Sequence, residues 1–182
     1  RVRADREIGR PEVTRRFCEE TGMPESMIDP DVPLPVEKMA AHFRSNLFGQ
    51  EEAIGAVLDV LASVKTGLSR GGRPVATLLF VGPTGVGKTE LAKVLAEFMF
   101  GGRERMIRFD MSEFAGAGAV FRLTGPSEGL LTGAVRREPF SVLLFDEVEK
   151  ADPSFFDLLL QVLGEGRLTD ERGRVADFCS SI

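Results

Sequence analysis

The chain has 182 residues, with 28 acidic against 23 basic side chains, a net charge of −5 and a pI near 5.1. That length suits one domain with some extra chain, the 43% hydrophobic and 28% charged content suits an ordinary globular protein, and the acidic balance speaks against a broad nucleic-acid-binding surface. No apolar run approaches the ~20 residues of a membrane span, the amino end lacks the apolar segment of a signal peptide, and two cysteines, Cys18 and Cys179, are too few for a disulfide framework, so reduced thiols are expected.

Residues 1–12 read as a charged lead-in closed by Pro11. Glu12 to Glu20 is compatible with a short helix, and Thr21-Gly22-Met23-Pro24 is a turn signal. Pro30, Pro33 and Pro35 make Ser26 to Pro35 a connector. Val36, Met39, Ala40 and Phe43 share a helical face over 36–43, and its His42, the sole histidine, reads as a surface residue without a catalytic partner. After the break at Leu47-Phe48-Gly49-Gln50, the stripe Ala53, Ile54, Val57, Leu58, Leu61, Val64 predicts an amphipathic helix from Glu51 to about Gly67.

The centre of the chain is Ala76 to Phe100. An apolar run, Leu78-Leu79-Phe80-Val81, predicts a strand; Gly82-Pro83-Thr84-Gly85-Val86-Gly87 turns the chain; a helix begins at Lys88-Thr89 and stops at Gly101-Gly102. The spacing G-x-x-x-x-G-K-T is that of a phosphate-binding loop. Glycines let backbone N–H groups approach phosphate oxygens without a Cβ in the way. The helix N-terminus adds partial positive charge. Lys88 would meet the β- and γ-phosphates, and the Thr89 hydroxyl can ligate Mg²⁺.

Met106 to Asp110 alternates like a short strand, with Ser112 as N-cap of the segment after it. Residues 115–129 are glycine-rich, and Leu130 to Glu138 reads as a helix closed by Pro139. Ser141 to Phe145 is an apolar run suited to a strand covered on both faces. It ends in Asp146-Glu147. Downstream of a phosphate loop that pair has a chemical reading: Asp146 manages the Mg²⁺ water shell, and Glu147 polarises a water for attack on the γ-phosphate. Asp152 and Pro153 open a helix that runs to Leu163 and is apolar almost all round, so it needs partners on more than one side. Glu165 to Asp177 is polar with glycine turns. Strands followed by helices predict an α/β fold, a parallel sheet with its ligand at the carboxyl edge.

The strings GPTGVGKTELAKVLAE, IRFDMSEF, AVRREPFSVLLFDEVEKA and LLLQVLGEGRLTDERGR resemble the Clp unfoldase and disaggregase branch of the AAA+ ATPases, and within it the second of two ATPase modules. Thr21-Gly22-Met23-Pro24 resembles the Thr-Gly-Ile-Pro where the first module ends, and Leu47 to Ile54 resembles the segment that lies against adenine. The likeness spans about residues 13–182. It implies an AAA+ large subdomain over 47–182, preceded by a linker with short helices over 1–46. It also implies ATP and Mg²⁺ as ligands and ATP hydrolysis in a cytoplasmic ring, a homo-hexamer of the full-length protein, that threads polypeptide; the acidic balance and the lack of a long apolar run leave nucleic acid and membrane out of the expected partners. Carried over residue by residue, Gly82, Pro83, Thr84, Gly85, Val86, Gly87, Lys88 and Thr89 bind nucleotide. Thr89 and Asp146 serve the metal, Glu147 and Lys88 are catalytic, and Leu47 and Phe48 border the adenine. Arg167 to Arg174 is either a pore- or neighbour-facing loop or a solvated charged hairpin.

Two departures stand out. In the family an aromatic glycine-rich loop follows Arg-Leu-x-Gly; here Arg122-Leu123-Thr124-Gly125 leads through Pro126-Ser127-Glu128-Gly129 straight to Leu130, and the chain has no Tyr. Either polypeptide is not gripped in the usual way or the loop is missing from this sequence. The family also continues past the position of Ile182 with a sensor strand, an arginine finger and a helical lid, so the sequence is expected to be part of a longer polypeptide. The family's sensor strand lies between the phosphate-loop strand and the Asp-Glu strand. Three functions compete: a Clp-like remodelling ATPase; an AAA+ module for assembly, regulation or secretion; and a small-molecule kinase, against which Asp146-Glu147 and its flanks speak.

Overall fold

The computed structural model describes residues 8–67, 71–83, 85–125 and 129–182. The helices are α1 (Arg10–Thr21), α2 (Glu25–Ile28), α3 (Val36–Asn46), α4 (Glu51–Lys65), α5 (Lys88–Phe100), α6 (Ala119–Thr124), α7 (Leu130–Arg137) and α8 (Pro153–Glu165). The strands are β1 (Met106–Asp110), β2 (Val142–Asp146), β3 (Arg167–Thr169) and β4 (Val175–Asp177). The α/β architecture with a parallel sheet flanked by helices is as the sequence predicts.

β1 and β2 pair in parallel, with Met106 opposite Val142 and Asp110 opposite Asp146. Because side chains alternate across a strand, the pair separates two cores. Val142, Leu144 and Met106 face a cluster built from Met39, Phe43, Ile54, Val57, Leu61, Leu91, Leu95 and Met99 of α3, α4 and α5. Leu143, Phe145, Ile107 and Phe109 face a second cluster containing Leu123, Leu131, Val135, Phe155, Leu158 and Phe178. β2 is therefore covered on both sides, which is why its sequence is apolar without alternation. α8 buries Phe155, Leu158 and Val162, while Leu160 (67% exposed) and Phe156 (42%) point outward, so its far side is open in this structure.

Leu78–Val81 is not a strand, which corrects the expectation. Residues 78–81 keep a strand-like alternation, with Leu78 and Phe80 packed on the first core and Leu79 and Val81 at 79% and 88% exposure. They lack a ladder partner among the described residues. Just before them, Val75 N–H donates to Ser181 O (2.9 Å), Ile182 N–H donates to Ser141 O (3.1 Å) and Leu143 N–H donates to Ile182 O (2.7 Å). Ser181 and Ile182 thus lie between the phosphate-loop lead-in and β2, where the family resemblance places the sensor strand. The bridging stops there, and a strand is defined by its neighbour's hydrogen bonds.

Other differences are local. Asp110, not Ser112, caps the 3₁₀ turn Met111–Phe114: its side chain accepts from Ser112 N–H, because an aspartate two residues earlier already reaches the free amide. α6 lies inside the glycine-rich stretch, started by Gly118 in the left-handed region (φ 91°). α8 closes at Gly166 rather than Gly164. His42 is half-buried, its ring 6.0 Å from that of Phe98, rather than a free surface residue. Cys18 and Cys179 are both free thiols, each with its pKa pushed up chiefly by burial.

α1 and α5 meet end to end. Each is closed by a left-handed glycine, Gly22 (φ 76°) and Gly101 (φ 79°), and a Cβ on Gly22 would fall 2.1 Å from Phe100 O. Only hydrogen fits there. The Gly22→Ala variant is expected to lose on the order of 2 kcal/mol or more of stability, read as a lowered midpoint in urea; an unchanged midpoint would show that this junction yields freely.

The β3–β4 hairpin is built round a buried acid rather than simply solvated. Asp170 is 3% exposed; its Oδ1 accepts from Arg172 N–H (3.0 Å) and Arg174 N–H (2.9 Å), its Oδ2 from Arg174 Nε (2.8 Å), and Arg136 Nη1 lies 3.2 Å away. Burial pushes this carboxyl's pKa up, and the hydrogen bonds from Arg174 and Arg172 outweigh it, so the net direction is down. A lowered folded-state pKa contributes stability above the unfolded value of about 3.9, lost as pH falls through the folded one. Melting temperature followed from pH 7 to pH 2 should therefore fall less steeply at the acid end in Asp170→Asn than in the parent. Parallel curves would remove Asp170 from the acid transition.

Candidate nucleotide site

The phosphate loop runs from Gly82 into α5. Gly85 (φ 85°) and Gly87 (φ 105°) lie in the left-handed region, a backbone that side chains with a Cβ rarely adopt, and Gly87 is the N-cap of α5. Gly85 meets nothing within 4 Å of an added Cβ, so conformation rather than space requires glycine there. Gly82 is exposed and would tolerate a Cβ sterically. Pro83 and Val86 are exposed on the loop; Thr84 lies outside the described residues.

Lys88 and Thr89 are the first two residues of α5, so they stand at its positive end. The Lys88 ammonium donates to Gly82 O and to Pro83 O, 2.7 Å each, and so reaches back across the mouth of the loop. Gln50, just before α4, donates through Nε2 to Val86 O (2.9 Å) and ties the Leu47–Gln50 segment to the loop. Leu47 is 5% exposed and belongs to the first core, its Cδ2 lying 3.8 Å from an added Gly87 Cβ; Phe48 is 87% exposed. Of this pair, Phe48 presents an exposed aromatic ring and Leu47 is buried in the first core.

α5 packs against β2, which ends at Asp146. Asp146 Oδ1 accepts from Glu147 N–H (3.1 Å), and Asp146 Oδ2 is 2.9 Å from Arg108 Nη2. Glu147 is the sole described non-glycine residue with positive φ (φ 53°, ψ 43°). A left-handed glutamate costs roughly 1–2 kcal/mol. It turns the chain directly after the strand, before the 3₁₀ turn Val148–Lys150, and such backbone strain concentrates at functional positions.

Sequence reasoning missed Arg108 and Asp110. A signal was available: on a strand, 108 and 110 share a face, and the register puts that face beside Asp146 and on the side where α5 packs. Asp110 Oδ1 accepts from Ser112 N–H (3.1 Å) and Ser112 Oγ–H (2.5 Å). Those hydrogen bonds hold its pKa below the ordinary value, with Arg108 adding to the effect. Residues 126–128, part of the shortened glycine-rich loop, lie outside the described residues.

A glycine loop opening a helix that packs on a strand ending in Asp146, with Glu147 directly after it, is the arrangement of a P-loop nucleotide-binding module. The profile of the AAA domain (Cdc48 subfamily) matches residues 73–182, more than half of the chain, and the chain belongs to that family. It is similar to the chaperone protein ClpB 1 of Synechococcus elongatus, at 43% identity over 97% of this chain and 21% of that protein. Its identity to the chaperone protein ClpB of Corynebacterium diphtheriae is 51%, over 79% of this chain and 18% of that protein. It is also similar to a chloroplastic homologue of ClpA from Solanum lycopersicum, named an ATP-binding subunit of the ATP-dependent Clp protease, at 44% over 89% of this chain and 18% of that one. The chain spans about a fifth of the length of these relatives. Among the described residues no helix is long and apolar enough to cross a membrane.

The strain at Glu147 makes a prediction separate from chemistry. Glu147→Gly relieves the left-handed cost while adding unfolded-chain entropy, for a net gain of about 0.5 kcal/mol; Glu147→Ala should show no such gain. A thermal melt of both variants checks this, and a lower midpoint for Glu147→Gly than for Glu147→Ala would place the strain elsewhere.

Proposed function

We propose that this module binds ATP with Mg²⁺ and hydrolyses it, as part of a Clp-like machine that remodels polypeptides. The observation that carries the reading is the left-handed Gly85–Gly87 turn delivering Lys88 and Thr89 to the start of α5, which packs on the strand that ends in Asp146-Glu147. The printed name of the Solanum lycopersicum relative, an ATP-binding subunit, supports the nucleotide.

In this reading the loop from Gly82 to Gly87 offers backbone N–H groups to the phosphates, with Thr84 included from the sequence. The Lys88 ammonium exchanges two neutral carbonyls for charged phosphate oxygens, which are the stronger acceptors. Phe48 and Leu47 border the adenine, Phe48 with its exposed ring and Leu47 from the core. The metal fits the residues present. Thr89 hydroxyl and Asp146 carboxylate are hard oxygen donors, and among the described residues no cluster of three or more His, Cys, Asp or Glu could hold a metal; a Mg²⁺ ion sharing its shell with phosphate and water needs only such a pair. When bound, Mg²⁺ would neutralise charge on the β- and γ-phosphates. Glu147 orients the attacking water and accepts its proton. Residues 47–182 would form the large subdomain and 1–46 its lead-in, although Met39 and Phe43 of α3 share the core of α4 and α5. Hexameric assembly, a polypeptide substrate and a cytoplasmic setting belong to the same proposal, supported by similarity to Clp chaperones.

A second reading, an AAA+ module serving assembly, regulation or secretion, draws on the short Gly125–Gly129 connection and the lack of tyrosine. ATPase activity that rises with unfolded polypeptide supports threading, whereas indifference to it supports the second reading. Within either, Glu147→Gln is expected to keep nucleotide binding while cutting turnover at least about a hundredfold, and Lys88→Ala to lose nucleotide binding. Turnover surviving in Glu147→Gln, measured as phosphate release, would take the water-activating role away from Glu147.

A further inference from the structure

Arg108 reaches the metal-side carboxylate from the neighbouring strand. Its Nη2 lies 2.9 Å from Asp146 Oδ2 and 3.5 Å from Asp110 Oδ2. The register sets the two acids directly opposite one another at the strand ends, an arrangement that repels unless a cation stands between them. Ser112 occupies Asp110 Oδ1 and leaves Oδ2 toward the arginine. Arg108 is 48% exposed, so its head can move between the two acids without unpacking the core.

Resting on the Mg²⁺-nucleotide reading, we propose that Arg108 is a built-in counter-ion that competes with Mg²⁺ for Asp146 and hands that carboxylate over by shifting onto Asp110. The guanidinium holds Asp146 neutralised and oriented between nucleotide-binding events. A divalent cation arriving at the same oxygens meets a like charge, so the arginine raises the Mg²⁺ concentration needed to load the site. Asp110 lowers that cost by offering the displaced guanidinium a second carboxylate already within reach. Arg108 is a positioning residue in this scheme, acting through Asp146.

The test is a titration of the full chain with Mg²⁺ at fixed N-methylanthraniloyl-ADP in EDTA-buffered solution, reading the half-saturating Mg²⁺ concentration by fluorescence. A melting curve without nucleotide or metal runs beside it. Arg108→Gln should lower the half-saturating Mg²⁺ roughly three- to tenfold, the range expected from removing one charge near a divalent ion in a largely aqueous, salt-screened setting. Arg108→Lys, which keeps the charge, should stay near the parent. Asp110→Asn should raise the requirement, because the guanidinium then has Asp146 as its remaining acid. An Arg108→Gln variant that melts lower but needs the same or more Mg²⁺ would overturn the proposal and leave Arg108 a structural neutraliser. Should that variant fail to fold, Asp110→Asn decides, and an unchanged or lower requirement there overturns the handover. A parent chain that binds no N-methylanthraniloyl-ADP at any Mg²⁺ concentration would overturn the nucleotide reading itself, an outcome distinct from binding that is indifferent to Arg108.

Discussion

The parallel pairing of Met106–Asp110 with Val142–Asp146 is the constraint on which the rest depends. It is a pairing of two five-residue strands, yet it divides the molecule into two cores, one under α3, α4 and α5 and one under α6, α7 and α8. Parallel strands give each chain end a common edge, so Asp110 and Asp146 finish side by side. A register slip of one residue would move Val142 and Leu144 to the other core and turn Asp146 away from the α5 side.

α5 links this sheet to the phosphate loop. Seven of its residues are buried, from Leu91 to Phe100, and they lock the helix on the strand pair. Lys88 and Thr89 begin this anchored helix and stand at the positive end of its dipole. Rigid packing at one end of the helix and left-handed glycines at the other give a loop whose amides can converge while its anchor stays still. Gln50 adds a tie from the α3–α4 connection to the loop backbone, so the segment carrying Phe48 is coupled to the phosphate cradle.

Much of the candidate site was legible because the chemistry proposed for it is local. The phosphate loop, its helix and the Asp-Glu pair are short contiguous strings whose spacing has a direct mechanical reason. The flanking helices were legible from their 3.6-residue stripes, and α5, α7 and α8 begin where capping and turn residues place them. The strand expected over Leu78–Val81 does not form, for a physical reason. Its apolar alternation is present, but strand character belongs to a ladder with a neighbour, and among the described residues the nearest such hydrogen bonds are those of Val75 with Ser181 and of Ser141 and Leu143 with Ile182. The buried role of Asp170 was equally hidden: a charged residue in a charged loop looks solvated until Arg136, thirty-odd positions earlier in the chain, is brought against it.

From its order of residues alone, this chain determined an α/β domain, a glycine loop opening a helix, and two acids at the end of an apolar strand. Those properties depend on neighbours within a few positions, where backbone conformation and periodicity act. Tertiary structure decided the rest: that Asp110 faces Asp146, that Arg108 stands between them, that Leu47 is sealed in the core while Phe48 is open, and that Gly22 abuts Phe100. These are contacts between segments far apart in the chain, set by strand register and helix docking, and the sequence records such contacts only as separate residues.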